Sequence, residues 1–294
     1  MHKFKIHTDS ACDISTELLK ELDIGCCPLS FKFDRDKESI YDGNMPANHF
    51  YARLASGEKA TTSAVNKSRF IRSFEETLGS GNDILYLGFS SALSACYNSA
   101  RLAAQELSEE YPEGRIHIVD TLSASAGQGM LIFLAARMRD RGYDAKMTED
   151  YIRGIIPHMC HLFVVDDLTY LQRGGRIGST TATVGNLLGV KPLLTVDDSG
   201  RLTLLSKVRG RRGALNSLAD SFGALMCDAT DKIFISHANC PGDADELSRI
   251  IRDRYQRSVT LITEIGSVIG SHTGQGTLAL FFIGKQRPTK RKQK

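Results

Sequence analysis

Apolar residues in the first half of the chain fall in short runs that alternate with segments of helical spacing. FKIHT at 4–8 reads as a strand. A helix follows from Ser15 to Leu22, opened by Ser15 and carrying Glu17 in its first turn, where an acid suits the helix dipole. CCPLSFKF at 26–33 reads as a second strand. Helical periodicity returns in PANHFYARLAS and NKSRFIRSFEETLG. DILYLGF at 83–89 is a continuous apolar strand, followed by the helix SACYNSARLAAQELSEEY. RIHIVD at 115–120 is a strand, and SAGQGMLIFLAARMRDRG a buried helix closed by Gly142.

Strands alternating with helices imply right-handed crossovers and a mostly parallel, Rossmann-like sheet covered on both faces. Ligands of such sheets bind beyond the C-terminal strand ends. Those ends read TDSACD (8–13), FSSALS (89–94) and DTLSAS (120–125), all rich in hydroxyls. After about residue 160 the pattern changes. HLFVVDDL, VKPLLTV, RLTLLSKV, KIFISHA and SVTLITEI are strand-like, with helices near 209–227 and 242–254, and DDSGR at 197–201 has the composition of a hairpin turn. The expectation is an α/β domain over 1–160 and an α+β domain with a mixed or antiparallel sheet over 161–284. The last glycine-rich segment and its strand are placed to pack back on the first domain. A basic tail, 285–294, is expected to be disordered.

Composition changes this picture little. Across 294 residues, 41% are hydrophobic and 24% charged, the balance of a chain with a real core. The formal net charge of +3 comes from the tail, whose ten residues hold six Lys/Arg; the rest carries 31 basic against 34 acidic residues. A broad electrostatic footprint for nucleic acid is therefore absent. The tail allows at most transient contact with a membrane surface. Seven cysteines without a Cys-x-x-Cys pair, and no signal-like N-terminus, point to free thiols and the cytoplasm.

Most chemical candidates are weak. No Gly-x-Gly-x-x-Gly follows the first strand and no Walker A pattern occurs. HMCH at 158–161 lacks a second ligand cluster, so no metal is expected. GFSSA at 88–92 resembles a nucleophile elbow but has Ala92 where the tight turn favours Gly; a serine esterase using Ser90, with Asp167 and His272, is the alternative reading. What remains is a set of hydroxyls, Thr8, Ser10, Thr62, Ser63, Ser90, Ser91, Ser94, Thr121 and Ser123, able to hold an anion without cleaving it. His272 sits among glycines in IGSVIGSHTGQG.

Eight segments, in order from residue 8 to residue 276, resemble the DegV family of fatty acid-binding proteins, which includes the substrate-binding subunit of bacterial fatty acid kinase. They are TDSACD, TTSAVN (61–66), SSALSACYNSA (90–100), VDTLSASAGQG (119–129), LTYLQRGGRI (168–177), LLGVKPLL (187–194), SHA (236–238) and IGSVIGSHTGQG (265–276). The resemblance implies a DegV fold of two domains and no cofactor. It also implies a non-enzymatic lipid carrier that buries a long-chain fatty acid such as palmitate or oleate and presents its carboxylate to the separate catalytic subunit of an ATP-dependent fatty acid kinase. It implies carboxylate contacts from Thr62 and Ser94, with Ser63, His272 and Gly274 in the head-group network. The kinase-facing arginine maps to Arg209, with Arg211 and Arg212 as alternatives. The chain departs from the family pattern at Ala64 and Val65, where Gln-Pro is usual, at Ala95 and Cys96 in place of Gly-Thr, and at Gln275 in place of Pro.

Overall fold

In the computed structural model, residues 3–111, 116–178 and 189–288 are described. The first unit is built on a parallel four-stranded sheet in the order β2-β1-β6-β7, from β1 (Phe4–Asp9), β2 (Ile24–Cys27), β6 (Asp83–Gly88) and β7 (Ile116–Asp120). Every residue of the inner strand β6 is buried, as expected of a strand covered on both faces. Helix α1 (Thr16–Glu21) starts where Ser15 Oγ accepts from the Leu18 N–H. The stretch 26–33 is not one strand. Pro28 has no N–H to donate to a ladder, and the chain leaves the parallel sheet at Cys27. It re-enters as β3 (Ser30–Phe33), the middle of a small antiparallel sheet with β4 (Ile40–Tyr41) and β5 (Ala60–Ser63). Helices α2 (Ala47–Ala55), α3 (Lys67–Gly79) and α4 (Cys96–Glu110) enclose the aromatic core of Phe31, Phe50, Phe70, Phe74 and Tyr86.

The second unit is a six-stranded mixed sheet, β10-β9-β8-β13-β11-β12. Its strands are β8 (Met159–Val164), β9 (Val190–Val196), β10 (Leu202–Arg209), β11 (Ile233–His237), β12 (Leu261–Glu264) and β13 (Leu278–Ile283). Only β11 and β12 run parallel. One face packs on α8 (Arg211–Leu225) and α9 (Pro241–Tyr255). Two short helices, α7 (Thr169–Arg173) and α10 (Ser267–Thr273), sit between the units. The segment SHTG at 271–274 is thus the end of a helix despite its glycines. A Cβ at Gly270 would meet Tyr51 Oη at 2.7 Å and Phe50 Cε1 at 2.9 Å, so glycine lets α10 lie directly on α2.

Helix α5 (Ala126–Asp140) joins the halves. It packs on β1 and β6 of one sheet and on β8, β11 and β13 of the other. Residues Ala126 to Ile132 are all buried, which accounts for the apolar sequence with no polar face. Helix α6 (Ala145–Ile155) covers the outside, its Asp144 side chain capping the Met147 N–H. Among the described residues no helix is long and apolar enough to cross a membrane.

The start of the basic tail departs from the expectation of disorder. Arg287 is 2% exposed. Its guanidinium donates to the carbonyls of Ile156, Leu122 and Asp197, tying the chain end to both units. Residues 289–294 lie outside the described residues. Arg287→Ala is expected to lower the unfolding free energy by about 2 kcal/mol or more, since it strands buried carbonyls. Gly129→Ala is expected to cost about 1–3 kcal/mol, because its Cβ would fall 2.8 Å from the Cys12 carbonyl oxygen. Urea denaturation checks both; an unchanged midpoint for Gly129→Ala would show that α5 can back away from β1.

Candidate functional site

The hydroxyl-rich strand ends are organised by a buried carboxylate. Asp9, at the end of β1, accepts from the Ala11 N–H, the Phe89 N–H, Tyr86 Oη and Gln128 Nε2. Thr8 Oγ1 donates to the Leu87 carbonyl and Thr121 Oγ1 to the Gly88 carbonyl. These groups are consumed in joining β1, β6, β7 and α5, so Thr8 and Thr121 shape the site from beneath it.

Beyond the strand ends lies a cavity of about 190 Å³ between the two units. Its walls are mostly apolar, with Leu93, Phe89, Phe163, Phe281, Val268 and Ile269 among them. Thr62, Ser94 and His272 all face it, although they come from β5, the turn before α4, and α10. Thr62 Oγ1 lies 2.8 Å from His272 Nε2. Ser94 Oγ accepts from the Cys96 N–H at 3.2 Å and keeps its own proton free for another acceptor.

Arg176 also lines the cavity, and the reading of the sequence did not assign it a role. Its Nε donates to the Leu93 carbonyl and its Nη1 to the Gly174 carbonyl. Neither partner is a carboxylate, so the guanidinium's charge is available to a ligand. The signal was present in the sequence: an arginine directly after Gly-Gly in LQRGGRI. Burial, reinforced by the Arg176 and Arg173 guanidiniums, pushes His272 down to about 4. At neutral pH the imidazole is therefore an uncharged hydrogen-bonding group, and Arg176 supplies the positive charge.

The other sequence candidates lie off the cavity. Ser63 follows Thr62 on β5, points to the opposite face and is exposed. Gly274 ends α10 at φ +77°, and a Cβ there would strike the Tyr170 ring, so its role is steric. Arg209 is exposed at the end of edge strand β10, and Arg212 is exposed too. Arg211 is engaged with Asp243, Asp166 and the Gly276 carbonyl. The esterase alternative is corrected by geometry. Ser90 is fully buried and its Oγ donates to the Gly200 carbonyl at 2.9 Å, while His272 pairs with Thr62 instead. Among the described residues no three His, Cys, Asp or Glu side chains converge as metal ligands. In HMCH, Cys160 and His161 point to opposite faces of β8, into different cores.

Two departures from the family pattern touch each other. The Val65 N–H donates to Cys96 Sγ at 3.3 Å. Proline at position 65 would bring no N–H; valine does, and the cysteine sulfur receives it.

A larger cleft of about 520 Å³ lies on the other side of the 10–13 turn, lined by Asp13, Asp42, Glu264 and Ser10. Burial pushes Asp13 up to about 8 and Asp42 up to about 6. The two cavities thus differ in character: one carries a guanidinium with no carboxylate partner among the described residues, the other carboxyl groups.

The depressed His272 predicts a pH effect. Unfolded, the imidazole binds a proton below 6.5; folded, it does so only near 4. Its contribution to stability is present above 6.5 and is lost as pH falls through that window. His272→Gln is expected to flatten the fall in unfolding free energy between pH 6.5 and 4, relative to the parent, in urea titrations at a series of pH values. Parallel curves for the two proteins would show that His272 titrates normally.

Comparison with known proteins follows the same lines. A family model described as an uncharacterised protein of the DegV family matches residues 3–285. A DegV domain-containing protein of Clostridium perfringens is 43% identical over 287 residues, covering 97% of this chain and 98% of the relative. A DegV family protein from Thermus thermophilus, described for its fatty acid binding, superposes with a TM-score of 0.86 at 28% identity, covering 96% of this chain and 99% of the other. A DegV lipid-binding protein from Thermotoga maritima gives 0.84 at 27% identity, covering 97% and 100%.

Proposed function

The chain belongs to the DegV family, and on that premise we propose that it binds a long-chain fatty acid with the acyl chain in the 190 Å³ cavity and the carboxylate among Thr62, Ser94, Arg176 and His272. The observation that carries this reading is one apolar cavity holding, beside two hydroxyls, an arginine without a carboxylate partner among the described residues. The larger cleft suits a fatty acid poorly, because Asp42 and Glu264 would repel its carboxylate.

The proposed division of labour follows from donor chemistry. A carboxylate only accepts, so each contact must donate. With its proton on Nε2, His272 donates to Thr62 Oγ1 and turns the threonine O–H toward the ligand. Ser94 Oγ donates a second bond and Arg176 a charge-assisted one. Burying about 14 methylenes at ~0.8 kcal/mol each offers about 11 kcal/mol before ordering costs.

The chain's own residues bind and orient the acid. Transfer of a phosphoryl group falls to a separate ATP-dependent fatty acid kinase subunit, with the exposed Arg209 on the surface that meets it.

Organic extraction of the purified protein followed by mass spectrometry is expected to release a long-chain fatty acid. An empty protein that also fails to take up palmitate or oleate would overturn the reading. Thr62→Ala and Ser94→Ala are each expected to weaken binding by about 1–3 kcal/mol, and Arg176→Gln by at least as much. Arg209→Glu is expected to slow acyl-phosphate formation by an added kinase subunit; an unaltered rate would remove Arg209 from that surface.

A further inference from the structure

Four polar side chains in the wall take no part in the carboxylate cluster; Thr273 and Thr277 donate to carbonyls of their own segment, which leaves His161 and Ser125. His161 lines the cavity from β8 and is 1% exposed. Its Nδ1 lies 3.2 Å from the Met159 carbonyl oxygen. A carbonyl only accepts, so Nδ1 carries the proton and Nε2 is a bare acceptor. That Nε2 is buried against Gly127 and has no hydrogen-bond partner among the described residues. Burial, with Arg287 nearby, keeps the ring neutral, so protonation does not relieve it. A buried acceptor with no donor is costly, and such groups are rare in folded proteins.

The second side chain is Ser125, two residues before Gly127, which also lines the cavity. It sits at φ 54°, ψ −149°, a conformation that residues with a Cβ seldom adopt. Its hydroxyl is fixed by Asp13 Oδ2 at 2.5 Å and Ser236 Oγ at 3.0 Å. Asp13 is held in turn by the Gly266 N–H. Strained backbone and a three-member network thus place a hydroxyl at a wall where an apolar residue would satisfy packing.

We propose that His161, in a wall that Ser125 also keeps polar, forms a second polar contact in the acyl cavity, which selects a long-chain fatty acid bearing a hydroxyl on its chain. This rests on the fatty acid reading and names the class of acid. The chain O–H donates to His161 Nε2, the bond the imidazole lacks; Ser125, whose own proton goes to Asp13, can only accept and adds no bond to the ligand's oxygen. The ring must yield slightly from Gly127 to admit the donor, and one 3.2 Å bond is all that restrains it.

The test is competition binding of stearate and a panel of hydroxystearates differing in hydroxyl position, to the full chain and to His161→Leu and His161→Gln. At least one hydroxystearate is expected to bind the parent about tenfold or more tighter than stearate, as a site built to pair a hydroxyl discriminates against its absence. His161→Leu is expected to erase that ratio, and His161→Gln, which retains an acceptor, to keep part of it. No preference in the parent for any isomer, or a ratio that survives in His161→Leu, overturns the proposal while leaving fatty acid binding intact. Failure of every acid to bind would overturn the fatty acid reading and this one with it.

Discussion

The first two turns of α5 have no side facing water, and their enclosure governs the rest of this molecule. One sheet alone could cover only part of them, so the chain supplies two. Gly127 and Gly129 let these turns approach β8 on one side and the turn after β1 on the other. Gln128, between them, reaches back to Asp9 and fixes the height of the helix against the parallel strand ends. The cavity opens where this N-terminal turn meets both sheets. Its position is therefore a consequence of how the helix is buried.

Charge is distributed on the same plan. His272 is neutral, and Arg176, which lines the same cavity, is bonded to carbonyls instead of acids. Across the 10–13 turn the polarity reverses, with Asp13 buried and Asp42 half-buried in a seam where they accept from the Gly266 and Ser267 N–H groups. The carboxyl groups thus hold the start of α10, and the other end of that short helix carries His272. Anchoring and the proposed binding cluster occupy opposite ends of one element, an arrangement that would keep the acids away from an anionic ligand.

Much of this was legible in the sequence where local pattern decides structure. The apolar run of β6, the Ser15 cap and the buried apolar stretch of helix α5 follow from periodicity and capping alone. The cluster of Thr62, Ser94 and His272 was reached through family resemblance, because three residues so far apart in the chain share no local signal. Other features depend on partners that a linear reading cannot see. Pro28 divides a continuous apolar stretch between two sheets. α10 is a helix because Gly270 permits contact with α2, a tertiary gain that overrides poor helix propensity. Arg287 looked like part of a solvated charge block, and its three carbonyl acceptors come from segments 90 to 165 residues away. Ser90 had the neighbours of a nucleophile, but a carbonyl from the β9–β10 hairpin takes its proton.

The place of β13 bears on how the molecule can be made. It follows every other strand in the chain, yet it lies in the middle of its sheet, paired to β8 on one edge and β11 on the other. During synthesis the β8–β10 and β11–β12 groups emerge with those two apolar edges open, and neither can close on the other until residues 278–283 are free. Open strand edges invite pairing with other chains. The growing polypeptide is thus most vulnerable to aggregation late in its synthesis, and its second unit closes in one step when its final strand slots between two waiting partners.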